Sequence, residues 1–270
     1  MKRRYRFVRH PSRQTMGRII MKWGGGLITD KTTICTPYLD RIHNLSICVK
    51  KLYDLGHEII IVHGAGSFGH IVAREYRLSD GNIPELEQNE AINQVRTDMD
   101  SLNQLVIDSL LDLDPVIHAP RNFVVNTGPH FEGDISRFLE PGIHITFGDV
   151  VDCNSPMDFG ILSGDDIMFR LGTELPDVTH VIFALGDTPG LMSTYGADGI
   201  LIPEWDASMD FDGHHTTEID VTGGIFLKVE RASAISKKVE HVWFVDGTNP
   251  ERINEIVDNG KSIGTKINPI

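Results

Sequence analysis

The chain has 270 residues, 40% hydrophobic and 23% charged, enough for a full core and unlike a disordered or fibrous sequence. Its net charge of −13 argues against nucleic acid as a general partner, because binding it requires a cationic face. Cys35, Cys48 and Cys153 show no C-x-x-C spacing, so neither a zinc site nor a disulfide framework is indicated, and a reducing cytoplasm is the expected setting.

Residues 1–18 hold Lys2 and six arginines with no acid. We expect a basic extension, disordered ahead of the first strand or upstream of a true start at Met16 or Met21; a transit peptide is the alternative. No apolar run approaches the ~20 residues of a membrane span, so no membrane partner is expected.

From there, apolar runs ending in glycine alternate with helical patterns. "RIIMKWGGG" (18–26) reads as a buried strand, and residues 38–55 as a helix with Leu39, Ile42, Leu45, Val49 and Leu52 at 3–4 spacing. "EIIIVHGAG" (58–66) is a second strand, followed by a helix through "IVAREY". Residues 87–112 form a longer helix striped by Ile92, Val95, Met99, Leu102, Val106 and Leu110. The polar segment 119–143 reads as a hairpin excursion at the sheet's edge. "HITFGDVV" (144–151), "HVIFALGD" (180–187) and "HVWFVDG" (241–247) are further strands. "LSGDDIMFRLGTEL" and "TGGIFLKVERASAISKK" run from glycine into helix, and the acidic segment 193–219 reads as a mobile flap. Continuous Ile/Val/Phe strands without polar alternation predict an open, mostly parallel α/β sheet covered by helices on both faces, with small hairpin excursions. No linker marks a boundary, so two lobes sharing one continuous sheet are expected.

Gly64, Gly66 and Gly69 fit G-x-G-x-x-G after a strand, a turn whose backbone N–H groups attract a phosphate. Two features count against a dinucleotide. The turn follows the second strand, and the position where a ribose-binding acid belongs falls within the long helix. His70, directly after the turn, could serve as a donor to a phosphoryl group, although taken alone it could be an ordinary residue of the first helical turn. Other strand ends supply Lys22 before three glycines, Lys31, Gly148 with Asp149, Asp165 and Asp166, Asp187, and Asp220 to Lys228. Parallel strands point their carboxyl ends into one crevice, so these loops should converge. Glycine amides and lysines facing acids suit phosphoryl transfer, which needs alignment and charge neutralisation. No G-x-x-x-x-G-K-[ST] and no kinase H-R-D or D-F-G set is present. His214 and His215 form a lone pair in an acidic flap and indicate no metal.

"MKWGGGLITDK", "GAGSFGH", "GD" at 148–149, "ILSGDD" and "DVTGG…K" occur in the order that resembles the amino acid kinase superfamily, from about Ile19 to Ile267. "GAGSFGH" with "ITDK" is similar to its isopentenyl phosphate kinase branch. The resemblance leaves the basic extension at 1–18 uncovered and implies one domain at 19–270, with an acceptor-binding lobe at about 19–175 and a nucleotide-binding lobe at about 176–270. It implies transfer of phosphate from ATP, with Mg²⁺ accompanying the nucleotide, to isopentenyl phosphate, giving isopentenyl diphosphate for isoprenoid synthesis. Members of this superfamily are often dimers, so a homodimer is expected.

By the same resemblance, Lys22, Gly24, Gly25 and Lys228 hold the ATP phosphates and Lys31 reaches them. Asp165 organises the two main lysines. Asp187, Gly190 and Gly223 belong to the nucleotide loops. Ala65, Gly66, Ser67 and His70 hold the acceptor's phosphate, Gly148 and Asp149 close the site, and Tyr76, Met99 and Leu102 wall the hydrocarbon tail. Lys22, His70, Asp165 and Lys228 would carry catalysis. Two departures stand out: Gly26 occupies the serine position of the first loop, and Pro189 replaces an acid in the nucleotide loop. Rival readings are a kinase of another small phosphate or phosphonate such as fosfomycin, an ATP-binding storage or regulatory protein of the same fold, and a dinucleotide-dependent oxidoreductase.

Overall fold

The computed structural model describes residues 16–186, 188–193, 199–209 and 224–270. In chain order the elements are β1 (Arg18–Trp23), the single turn α1 (Gly25–Ile28), α2 (Leu39–Leu55), β2 (Glu58–His63), α3 (His70–Glu75), α4 (Gln88–Ser109), β3 (Val116–Ile117), β4 (Val124–Val125) and β5 (Glu132–Gly133). Then come β6 (Ile143–Phe147), β7 (Asp149–Asp152), β8 (Phe159–Leu162), α5 (Gly164–Glu174), β9 (Val178–Leu185), β10 (Glu204–Trp205), α6 (Gly224–Ser236), β11 (His241–Asp246), α7 (Glu251–Asn259) and β12 (Thr265–Ile267).

The main sheet has the order β10-β12-β11-β9-β1-β2-β6-β3. Its pairs are parallel except β11 with β12. Residue alternation along each strand divides the core in two. Ile19, Met21, Trp23, Ile59, Ile61 and Phe147 face α2, α4 and α7. Ile20, Ile60, Val62, Val181, Phe183 and Phe244 face α5 and α6. Both faces are therefore dry, which is why the central strands carry unbroken apolar runs.

A smaller sheet, β5-β4-β7-β8, stands beside the main one. It corrects one expectation. "HITFGDVV" is not a single strand, because β6 stays in the main sheet while β7 turns back with β8 as an antiparallel hairpin. Gly148 is the pivot, and its N–H donates to the His63 carbonyl at 3.2 Å. The segment 119–143 does leave the main sheet, contributing β4 and β5. Most of the expected flap at 193–219 lies outside the described residues, but Glu204–Trp205 pairs with β12 at the sheet's edge. The helix expected through "IVAREY" is shorter than its sequence suggests. A 3₁₀ turn covers Gly66–Phe68, and α3 runs only from His70 to Glu75. Among the described residues no helix is long and apolar enough to cross a membrane.

Candidate functional site

Strands β1, β2, β6 and β9 end side by side, and the loops after them open into one cleft. Lys22 belongs to β1 and shares the face of Ile20, so its chain runs beneath the sheet's edge toward α5 rather than into solvent. There it forms an ion pair with Asp165, in the first turn of α5. Lys228 comes from α6, which packs on α5, and lies 3.3 Å from the other oxygen of the same carboxylate. Lys228 also donates to the Gly224 carbonyl at 3.2 Å. Ser163 caps α5, its hydroxyl accepting from the Asp165 N–H at 3.1 Å, so the helix start that carries the acid is held rigidly.

Asp165 is fully buried. Burial alone would push its carboxyl up, but the charges of Lys22 and Lys228 overcome this and hold it below the usual carboxylate range. Two cations share one anion. Both lysines line the cleft, where their positive charge suits an anionic ligand. Asp166, its neighbour, points elsewhere: Arg231 donates to it at 2.8 Å.

Two glycine loops form the floor. The first follows β1 and opens α1; the second follows β2 and opens the 3₁₀ turn. They touch backbone to backbone. A Cβ on Gly25 would overlap the Gly66 nitrogen, one on Gly64 would come within 2.6 Å of the Gly25 nitrogen, and Gly66 sits at φ +50. Only glycine permits this approach. At Gly26, the departure noted in the first loop, a Cβ would meet only the far end of the flexible Lys31 side chain, which can shift.

Lys22, Gly24, Gly25, Lys31, Ala65 and Gly66 all line this cleft. So do His70, Met99, Gly148, Asp149 and Lys228. Ala73, Val95, Val150 and Ile161 join Met99 as the apolar part of the cleft's wall. Asp149 is buried beneath that wall. Burial pushes its carboxyl up to about 6 against the pull of Arg121, whose guanidinium donates to it at 3.0 Å. Arg121 pairs in addition with Asp100 on α4, tying the acceptor-side wall together.

Other residues named from the sequence stand apart from the cleft. Ser67 is buried, its N–H donating to Thr29 Oγ and its own Oγ accepting from the Thr36 N–H, so neither group faces a ligand. Leu102 is fully enclosed in the core behind Met99, and Tyr76 closes α3 at the protein surface. Gly190 packs against Thr265 of β12, where a Cβ would come within 2.9 Å of the Thr265 nitrogen. Asp187 and Gly223 lie outside the described residues. Sequence reasoning also passed over Thr29, Arg121 and Asn103. Asn103 lies 3.2 Å from His63 Nε2, under the second loop, and burial drives that imidazole down to about 4, so it is neutral. Thr29 stands inside "ITDK", but nothing in that motif names its partner. Each acts through a partner on a distant element.

Residues 17–246 match the amino acid kinase family. An isopentenyl phosphate kinase of Thermoplasma acidophilum is 33% identical over 258 residues, spanning 92% of this chain and 99% of the relative. That of Methanothermobacter thermautotrophicus is 29% identical, spanning 92% and 98%. Among solved structures, an isopentenyl phosphate kinase substrate complex superimposes with a TM-score of 0.77 at 27% identity, over 93% of this chain and all of that one. A carbamate kinase from Giardia lamblia, at 11% identity and TM-score 0.60, shares the fold. The continuous match, the ordered glycine loops and the lysine–aspartate–lysine cluster together establish that this chain belongs to the amino acid kinase family.

Proposed function

We propose that the protein transfers the γ-phosphoryl group of ATP to isopentenyl phosphate, yielding isopentenyl diphosphate and ADP. The observation that carries this is that one cleft is lined by the cationic Lys22, Lys31 and Lys228 and by the apolar Val95, Met99 and Ile161, with His70 and the second glycine loop, whose Gly69 lies against Val95 and Met99, in the same wall. A ligand that is a phosphate at one end and a short hydrocarbon at the other fits that lining. The isopentenyl phosphate kinases to which this chain is similar supply independent support.

The reaction needs no general base. A phosphate monoester with a second pKa near ~6 is mostly dianionic at neutral pH, so its oxygen attacks the γ-phosphorus directly. The new P–O bond forms as the bond to the β–γ bridging oxygen breaks, and ADP departs with that electron pair. The obstacle is repulsion between two anions. Lys22, Lys31, Lys228, His70 and the amides of Ala65 and Gly66 offset it by preorganised charge and hydrogen bonding. Mg²⁺, carried in by the nucleotide, would add charge neutralisation on the polyphosphate. The acceptor belongs to the lobe at about 19–175 and the nucleotide to that at about 176–270. A cytoplasmic homodimer is part of the same proposal, by analogy with the family.

The test is ADP release with Mg-ATP against isopentenyl phosphate, dimethylallyl phosphate, fosfomycin, a longer prenyl phosphate and no acceptor. Turnover confined to the short prenyl phosphates is expected. Turnover with fosfomycin alone, or ATP binding without turnover on any acceptor, would overturn the reading.

A further inference from the structure

The two glycine loops arise from different strands, and in the proposed reaction one holds the donor while the other holds the acceptor. Thr29 lies between them. It follows α1 and is fully buried. Its hydroxyl donates to the Gly25 carbonyl at 2.8 Å and accepts from the Ser67 N–H at 3.0 Å. One oxygen atom thus bridges the first loop to the second. The same network holds the segment that carries Lys31. Asp30 N–H donates to the Thr36 carbonyl at 2.9 Å, Thr36 N–H donates to Ser67 Oγ at 3.3 Å, and Cys35 N–H donates to the Ser67 carbonyl at 3.3 Å.

We propose that Thr29 is the positioning residue that sets the separation of the donor and acceptor phosphoryl sites. It touches neither substrate; it acts through Gly25 and Ser67. Direct backbone contact between the loops resists compression but not sliding or separation. A hydroxyl that donates to one loop and accepts from the other is directional, so it fixes their register. Register matters because in-line transfer depends on near-contact alignment, and a displacement of about 1 Å can cost about a hundredfold in rate. Thr29 also takes up the Ser67 N–H, which would otherwise be a buried donor without a partner.

This inference rests on the kinase reading above, and the experiment separates the two. Full-length wild type, Thr29→Val and Thr29→Ser are compared for kcat and for KM of ATP and of isopentenyl phosphate. Amide hydrogen exchange at Ser67 is followed by NMR in each. Valine keeps the shape and removes the hydroxyl; serine keeps the hydroxyl. Expected for valine is a fall in kcat of about ten- to a hundredfold, with KM for ATP within about threefold, and faster exchange at Ser67. Serine is expected to restore kcat to within about threefold of wild type and to keep Ser67 protected. Unchanged kcat in the valine variant, or equal losses in valine and serine, overturns the proposal. If wild type turns over none of the acceptors, the kinase reading fails. The exchange data then decide the bridge alone, and equal Ser67 rates in all three proteins overturn it.

Discussion

At the scale of the residue, the cluster of Lys22, Asp165 and Lys228 shows how burial and charge act against each other. Removing the acid should be worse than its single charge implies, because it is the buried carboxylate with which both lysines pair. Asp165→Asn is expected to lose about 3–5 kcal/mol of stability in urea denaturation and most of its turnover. His70 answers to a different measurement. It lines the cleft together with the lysines and the apolar residues. His70→Ala should lower kcat by about two to three orders of magnitude while ATP affinity, read by calorimetry, stays nearly constant. Equal losses in both would place His70 on the nucleotide side. Lys22 was legible in the sequence as a strand-end lysine ahead of three glycines. Thr29 was not, because its meaning lies in a bond to Ser67, 38 positions away.

At the scale of the element, two short starts govern the site. Helix α5 begins at a serine cap whose bond to Asp165 aims that acid at the lysines. Ser163→Ala should cost about 1 kcal/mol of stability, as losing a cap usually does, with a larger proportional fall in activity. The contact between the glycine loops has no such tolerance. Gly25→Ala would drive a methyl group into the Gly66 backbone, where no rotamer can yield. It is expected to destabilise the fold by about 1–3 kcal/mol and abolish turnover, as thermal melts and ADP release would show. Periodicity located α2, α4, α5 and α6 because each buries one apolar stripe. It failed at residues 144–151, where a strand changes sheets at Gly148 without any change in hydrophobicity.

At the scale of the whole molecule, buried imidazoles make the fold sensitive to acid. Burial drives His63, His118 and His180 each down to about 4, against about 6.5 for an exposed histidine. Between those values the unfolded chain binds protons that the folded chain refuses, so stability is full above about pH 6.5 and is lost as pH falls toward 4. Asp149, raised to about 6, and Asp166, also raised by burial, work in the opposite direction, while His144, lowered by burial, adds to the three histidines. The melting temperature is therefore expected to drop steadily from pH 7 to pH 5, a trend a fluorescence melt would test. The sequence by itself determined the class of fold, since unbroken apolar strands between striped helices can be satisfied only by a sheet covered on both faces. It also determined the chemical inventory of the cleft, because strand-end glycines and lysines recur locally. Only the tertiary structure decided which residues line the cleft. Ser67, Leu102 and Tyr76 stand in or near recognisable motifs yet do not line the cleft, while Arg121 and Thr29 hold its walls and loops through partners far away in the sequence. Burial, partner and direction belong to the packed chain, and no local run of residues encodes them.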